Sequence, residues 1–436
     1  MRWFLVFWLF ILSAVSFLDR VNISVAGSAI AADYHLTQVQ LGWVFSAFLW
    51  GYALFQTFGG WLADRLGPRR VLTAGVVWWG IFTALTAAVS PAIAGAVFFF
   101  VLVRFLLGAG EAIIFPASNQ FISRWIPTQE RGIANGLIFA GVGAGAGSAP
   151  ALVTYIMVHY GWRWSFWLSA LIGLLVGLVW FVIARDTPEE HRSVSETELL
   201  HIRSGCAAGK PSASVQNSEK IAAPVPSTTP IPWTTILQSK EVWLVTLSYF
   251  CFGYIAWIFF SWFYIYLAKV RGLDLKSSAF YSTLPPLAMV ACSLLGGVIN
   301  DKLTKAYGKR VGRCGISVFA LSLTAVLLVV GSQAASARLA SLVLAGGAGA
   351  LYLAQSSYWS VTADIAGPRA GSTSGFMNMG AQLGGGVTAV LTPFIAQRLG
   401  WTYPFLVAAT LSALGAVAWL AVDPTRNLDR LQQSSL

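Results

Sequence analysis

The sequence predicts an all-α membrane protein of twelve transmembrane helices arranged as two six-helix bundles. Three observations point there. Of the 436 residues, 56% are hydrophobic and only 10% charged, against about 25% charged in soluble domains. The apolar residues gather in runs near the ~20 residues that a helix needs to cross a bilayer. A loop pattern that follows the second run also returns after the eighth, dividing the chain into two similar halves.

In the first half the runs fall near residues 4–30, 41–63, 71–90, 94–120, 132–157 and 164–184. In the second they fall near 242–268, 278–300, 313–333, 339–362, 371–396 and 401–421. The first run is too long for the apolar part of a signal peptide and reads as a span. Residues 185–240 break the pattern with Ser, Pro and charge, as in Asp186-Thr-Pro-Glu-Glu and Pro224-Val-Pro-Ser. They are expected to be a cytoplasmic linker, partly disordered or with one surface helix. It joins an N-terminal bundle, 1–184, to a C-terminal bundle, 241–436.

Basic residues orient the chain. With the N-terminus inside, inner loops and tails hold 20 Lys and Arg, outer loops hold 6, and Arg20 and Arg104 lie in the membrane. The positive-inside rule therefore places both termini in the cytoplasm. It also accounts for the net charge of +11, which in a soluble protein would suggest nucleic-acid binding. The 19 Trp suit interfacial belts. The four cysteines, Cys206, Cys251, Cys292 and Cys314, are scattered without a CxxC pair, so neither a disulfide framework nor a metal site is expected.

The repeated loop reads Gly60-Trp-Leu-Ala-Asp64-Arg65-Leu-Gly67-Pro68-Arg69-Arg70 in the first half. In the second it reads Gly297-Val-Ile-Asn-Asp301-Lys302, with Tyr307-Gly308-Lys309-Arg310 after it. Gly60 permits close helix approach. Asp64, at a helix end, can pair with a nearby Arg or cap a neighbouring helix N-terminus. Such contacts can latch one arrangement of the two halves. The segment resembles the signature loop of the major facilitator superfamily, which implies the major facilitator fold. By this reading Gly60, Asp64, Arg65, Gly67, Arg69 and Asp301 form a conformational latch.

A narrower resemblance covers nearly the whole chain. Asp19-Arg20-Val21-Asn22, Arg104-Phe-Leu-Leu-Gly108-Ala-Gly-Glu111-Ala-Ile-Ile-Phe-Pro116 and Trp125-Ile-Pro127-Thr-Gln-Glu130-Arg131 are similar to segments of the anion:cation symporters. So are Trp262-Phe-Tyr-Ile-Tyr266, Ala363-Asp364-Ile-Ala and Gly371-Ser-Thr with Met377-Asn378. That family includes bacterial galactonate, glucarate and hexuronate transporters, sialin and vesicular glutamate carriers.

The chemistry rests on four charges inside spans: Asp19, Arg20, Arg104 and Glu111. An ionised group in hydrocarbon is costly unless paired or wetted, so such residues point to function. Arg20 is the first candidate to hold a substrate anion, because its planar fork fits a carboxylate; the resemblance implies the same role. Asp19 and Arg20 are adjacent, hence about 100° apart on a helix and poorly placed to neutralise each other. Arg104 and Glu111 share a helix face about 10 Å apart, linked at most through leaning side chains or a water. A structural ion pair is the plain alternative for each.

All four histidines (His35, His159, His191, His201) fall in loops or at membrane edges. Asp19 and Glu111, with Arg104, are therefore the expected proton-coupling groups. The resemblance places Tyr52 and Asn378 at substrate-contacting positions, and less firmly Gln355, Ser357 and Tyr358. These groups suit the hydroxyls of a sugar acid, although each could serve only in helix–helix hydrogen bonds. Gly141, Gly143, Gly145 and Gly147, with Pro150, read as a packing face rather than a phosphate loop, since no Lys-Ser/Thr follows.

The expected function is proton-coupled symport of an organic anion, a hexonate or hexuronate, across a bacterial inner membrane by alternating access. The expected partners are that anion, protons and the lipid bilayer, with no cofactor, no nucleic acid and a monomeric carrier. An organophosphate/phosphate or other anion exchanger is the first alternative, and a proton/drug antiporter the second. An enzyme is not expected, because no metal cluster or nucleophile–base pair is visible.

Overall fold

The computed structural model of the chain describes residues 1–91, 95–207, 233–273, 275–367, 370–426 and 428. Part of the expected linker, residues 208–232, and Arg369 therefore lie outside the described residues.

The first half runs α1 (Arg2–Asp33), α2 (Gln38–Leu66), α3 (Pro68–Ala88), α4 (Ala96–Glu111), α5 (Ile114–Trp125), α6 (Arg131–Tyr160) and α7 (Trp162–Ile183). Two short helices follow, α8 (Glu196–Ala207) and α9 (Trp233–Gln238). The second half runs α10 (Lys240–Ser261), α11 (Phe263–Ile265), α12 (Leu275–Tyr307), α13 (Ile316–Gln333), α14 (Ala337–Leu353), α15 (Gln355–Ala366), α16 (Ala370–Leu399) and α17 (Thr402–Leu420).

Local chemistry sets the boundaries. Thr37 caps α2 in a capping box with Gln40. Pro68 opens α3 directly after Gly67, whose φ of +89° reverses the chain. Gly161 and Gly400, at φ of +87° and +96°, make the equivalent corners before α7 and α17. Ser239 and Ser336 cap α10 and α14.

Eleven segments among the described residues are long and apolar enough to cross a membrane. The twelfth expected span is α2, long enough at 29 residues but diluted by Trp, Tyr, Gln and Gly. Its exposed Trp50, Leu54 and Phe58 suit contact with lipid. Two of the expected spans each cross as one segment but carry an interruption of the helix. The run at 94–120 divides into α4 and α5 because Pro116 supplies no N–H to the carbonyl of Ala112. The run at 339–362 divides into α14 and α15 at Ala354, without a proline.

Within the first half α1 packs on α6 and α7, α2 on α4, and α3 on α7. The second half repeats this with α10 on α16 and α17, α12 on α14, and α13 on α17. The halves meet where α2 packs on α16 and α12 on α6. The glycine face of α6 is a packing surface: a Cβ at Gly141 or Gly145 would lie 2.3 or 2.0 Å from the Phe10 or Ala14 carbonyl oxygen of α1.

Candidate functional site

Arg20 reaches from α1 to the last residue of α4. Its Nε donates to Glu111 Oε1 at 2.6 Å, and the Ser16 hydroxyl, one turn earlier on α1, donates to the same oxygen at 2.5 Å. The guanidinium carbon lies 4.1 Å from the Tyr52 ring centroid, 4.5 Å from Phe17 and 5.4 Å from Phe48. These rings supply attraction to a cation without neutralising it. The fork is only half engaged, because Arg20 Nη2 has no hydrogen-bond partner, and neither has Glu111 Oε2. Arg20 keeps 13% side-chain exposure against 1% for Glu111.

Glu111 thus meets Arg20 rather than Arg104, the partner expected from its own helix. The reason is distance: two helical turns separate Glu111 from Arg104, whereas α1 brings Arg20 directly to the broken end of α4. Arg104 is buried, its guanidinium carbon 4.9 Å from the Phe48 ring, and its Nε has no partner.

Asp19 points elsewhere, as the 100° step dictates. Thr83 of α3 donates to its Oδ2 at 3.4 Å, and its Oδ1 is buried without a partner. Asn22, one turn on, is held by Ser165 and Ser169 of α7. Asp19 and Arg20 therefore bond different helices, α3 through Thr83 and α4 through Glu111.

In the second half, Asn378 of α16 approaches the Tyr52 hydroxyl. Gln355 donates to the Tyr249 hydroxyl at 2.9 Å, which also accepts from Trp359 Nε1 at 3.1 Å. Ser357 accepts from Asn300 of α12, and Tyr358 bonds Ser248 of α10. Both bonds stay within the second half, the structural use foreseen as the alternative. Aromatic rings bridge the two halves instead: Phe17 to Phe115 (6.4 Å between centroids) and Phe115 to Trp359 (6.0 Å).

The repeated loops fasten the two halves at the end that carries the described chain termini. Asp64 accepts from the Gly371 N–H at 2.9 Å, the Ser372 N–H at 2.8 Å and the Ser372 hydroxyl at 2.6 Å, capping α16. Asp301 accepts from the Gly132 and Ile133 N–H groups at 2.8 and 2.6 Å, capping α6. Each aspartate of one half thus caps a helix of the other. The glycines match: a Cβ at Gly60 would lie 2.0 Å from the Gly371 carbonyl oxygen, and one at Gly297 2.5 Å from that of Gly132. Arg65 and Arg69 take no part in these caps. Arg65 lies over Trp61, and Arg69 donates to the Phe181 carbonyl of its own half. Gly67 packs against Asp186, which accepts from the Arg69 N–H.

A buried ionic cluster lies at the same end, joining Arg131 and Asp364, two residues of the family-like segments, to Asp301 and the basic loop after it. Arg131 donates to Asp364 at 2.7 Å across the halves; Asp364 also meets Arg313 at 3.3 Å and Lys309 at 3.5 Å, and Arg313 meets Asp301 at 3.1 Å. Arg313 also donates to the Thr128 carbonyl, and Asn119 to Thr362 Oγ1. The aspartate of an Ala-Asp-Ile-Ala run and a basic loop were the only available signals, and neither specifies its partner. Among the described residues no cluster of His, Cys, Asp and Glu could hold a metal ion.

The sequence profile of the Major Facilitator Superfamily matches residues 9–388, and a second match covers 308–435. The chain is 34% identical over 417 residues to a probable sulfoacetate transporter of Cupriavidus necator, covering 95% of this chain and 92% of that one. It is 28% identical over 428 residues to a probable galactarate/D-glucarate transporter of Bacillus subtilis (95% and 90% covered). A hexuronate transporter of Bacillus subtilis is also 28% identical, over 418 residues (95% and 92%). Among solved structures, the proton:xylose symporter XylE bound to 6-bromo-6-deoxy-D-glucose superposes with a TM-score of 0.75 at 15% identity, covering 99% of this chain and 98% of that one. The transporter FucP in the outward conformation gives 0.69 at 16% identity, with 95% and 98% covered.

Proposed function

The chain belongs to the Major Facilitator Superfamily and is a multi-pass membrane transporter rather than an enzyme, and from this we propose that it couples the entry of an organic anion to the entry of protons. The observation that carries the reading is the 2.6 Å pair between Arg20 and Glu111 inside a ring of aromatic side chains. A carboxylate substrate and the Glu111 carboxylate compete for one guanidinium. When Glu111 is ionised, Arg20 is neutralised within the protein. When Glu111 takes a proton, the fork is left positive in a site of low polarity, where an unpaired cation is costly. A carboxylate from solution then restores both the charge balance and the two hydrogen bonds.

Asp19 is the second proton carrier in this scheme, and Arg104 balances its charge. With all four groups ionised the site sums to zero, so the empty carrier closes without an uncompensated charge. With Glu111 protonated, Asp19 still ionised and one carboxylate bound, the sum is again zero; with Asp19 protonated as well, a dianion restores the same balance. Tyr52 and Asn378 flank the anion, and Gln355 faces it from the second half. Ser357 and Tyr358 set the walls through their bonds to Asn300 and Ser248.

The proposed substrate is a sugar acid such as a hexonate or hexuronate, supported by the relatives named for galactarate, glucarate and hexuronate. The proposed setting is a bacterial inner membrane with both termini cytoplasmic. The caps at Asp64 and Asp301 then close the cytoplasmic end while Arg20 stays partly exposed. Transport is tested in proteoliposomes with an imposed inward proton gradient, using radiolabelled D-galacturonate, D-galactarate and sulfoacetate. The expected result is uphill uptake that collapses with a protonophore. In Glu111→Gln, uphill uptake is lost and exchange persists. Full uphill uptake by that variant would remove Glu111 from the mechanism.

A further inference from the structure

Two buried glutamines on the path between Arg20 and the latch have no use in the scheme above. Gln56 of α2 and Gln120 of α5 are fully buried, and in each side chain neither the amide nitrogen nor the amide oxygen has a hydrogen-bond partner. A buried amide left unbonded is destabilising, and folded proteins leave few such groups. Two complete amides so placed need an explanation.

Their position supplies one. Tyr52, Gln56, Gly60 and Asp64 follow one another at four-residue steps, so they line one face of α2. That face lies on α16: Asn378 approaches Tyr52, Gly375 meets the backbone of Gln56, Gly371 meets Gly60, and Asp64 caps Gly371 and Ser372. Gln56 is thus one turn, about 6 Å, from Tyr52 toward the latch. Gln120 is one turn above Arg124, a residue close enough to interact electrostatically with Asp64. Thr373 of α16 adds a buried hydroxyl without a partner. This is the seam that must part when the latch opens.

We propose that Gln56 and Gln120 form a release site, which takes the hydroxyl and carboxylate oxygens of the anion once the latched end has opened. The inference rests on the transport reading above. In the latched state the amides are sealed and unbonded. In the opened state they meet water and the departing anion. They carry no charge, so they hold an anion far more weakly than Arg20 does, as an exit requires. The unbonded amides also favour parting of the halves, offsetting part of the stabilisation from the caps.

The test uses Gln56→Met and Gln120→Met, near-isosteric changes that remove the amides and keep the volume. Half-saturation is measured separately from each face in sided proteoliposomes of the full chain, with radiolabelled D-galacturonate or sulfoacetate, whichever the wild type accumulates. The expected result is at least a tenfold rise at the latched face, a change of less than twofold at the other, and a melting temperature equal to or above wild type. Equal changes at both faces, or no change at either, overturn the release site. A wild type that moves neither anion in either direction instead overturns the transport reading, so the two failures are distinguishable.

Discussion

Removing the Asp64 carboxylate by Asp64→Ala tests the latch most directly. The side chain accepts two backbone N–H bonds and one hydroxyl bond, at 2.6–2.9 Å, from the first turn of α16. A helix cap is worth about 1–2 kcal/mol, and the favourable charge at a helix N-terminus adds about 0.3–1 kcal/mol. Two donors left buried also cost about 1 kcal/mol or more. The sum is on the order of 3 kcal/mol, which is about a hundredfold in the population with the first turn of α16 uncapped and open. The assay is hydrogen exchange of the Gly371 and Ser372 amides in detergent, with Asp301→Ala as the matched control. Asp64→Ala should speed exchange at Gly371 and Ser372 about a hundredfold, whereas Asp301→Ala should do so at Gly132 and Ile133. Unchanged exchange at 371 and 372 would refute the capping argument, since among the described residues Asp64 is the acceptor that those amides bond.

Four further outcomes follow from the same contacts. Arg20→Lys keeps the charge but loses the planar fork, so the half-saturation for anion uptake should rise at least tenfold while expression stays intact. Gly60→Val places side-chain atoms against the Gly371 carbonyl; overpacking costs about 1–3 kcal/mol, read as a lower melting temperature and slowed turnover. Arg131→Ala leaves Asp364 buried with fewer partners, and breaking a buried pair costs about 3–5 kcal/mol, visible in the same melting assay. Asp33 lies beyond the spanning part of α1; its carboxyl is held below the usual value by the Trp162 indole N–H, against some burial, and by Arg163. Its stabilisation is therefore present above the ordinary carboxylate pKa of about 3.9 and lost as pH falls below it. The difference in melting temperature between wild type and Asp33→Asn should be constant from pH 5 to 8 and shrink below pH 4.

Much of this architecture was legible in the chain because membrane spans announce themselves by composition. Each needs a long apolar run, and the loops between them are marked by Gly, Pro and basic residues. The Gly60 and Gly297 loops, with Asp64 and Asp301, were readable as a repeat of close helix approach and capping because these are local requirements with few residue solutions. The pairing of Arg20 with Glu111 was not readable. It depends on which helix of the first half faces α1 at the break beside Pro116, and no spacing encodes that. The pairing of Arg131 and Arg313 with Asp364 was missed for a related reason. Its members are spread over more than two hundred residues, and basic residues near the ends of spans are already explained by topology. Ser357 and Tyr358 show the converse: a polar residue in an apolar helix signals a hydrogen bond, but not whether its partner is a guest or a neighbour.

The two aspartate caps behave as an intramolecular bivalent clasp. Each joins the same pair of bodies, so while one stays fastened the other rebinds from a high effective concentration. A chance loss of either contact is repaired before the halves separate, and passage requires both to release together. An all-or-none opening of this kind gives a carrier two sharply populated shapes rather than a continuum of leaky intermediates.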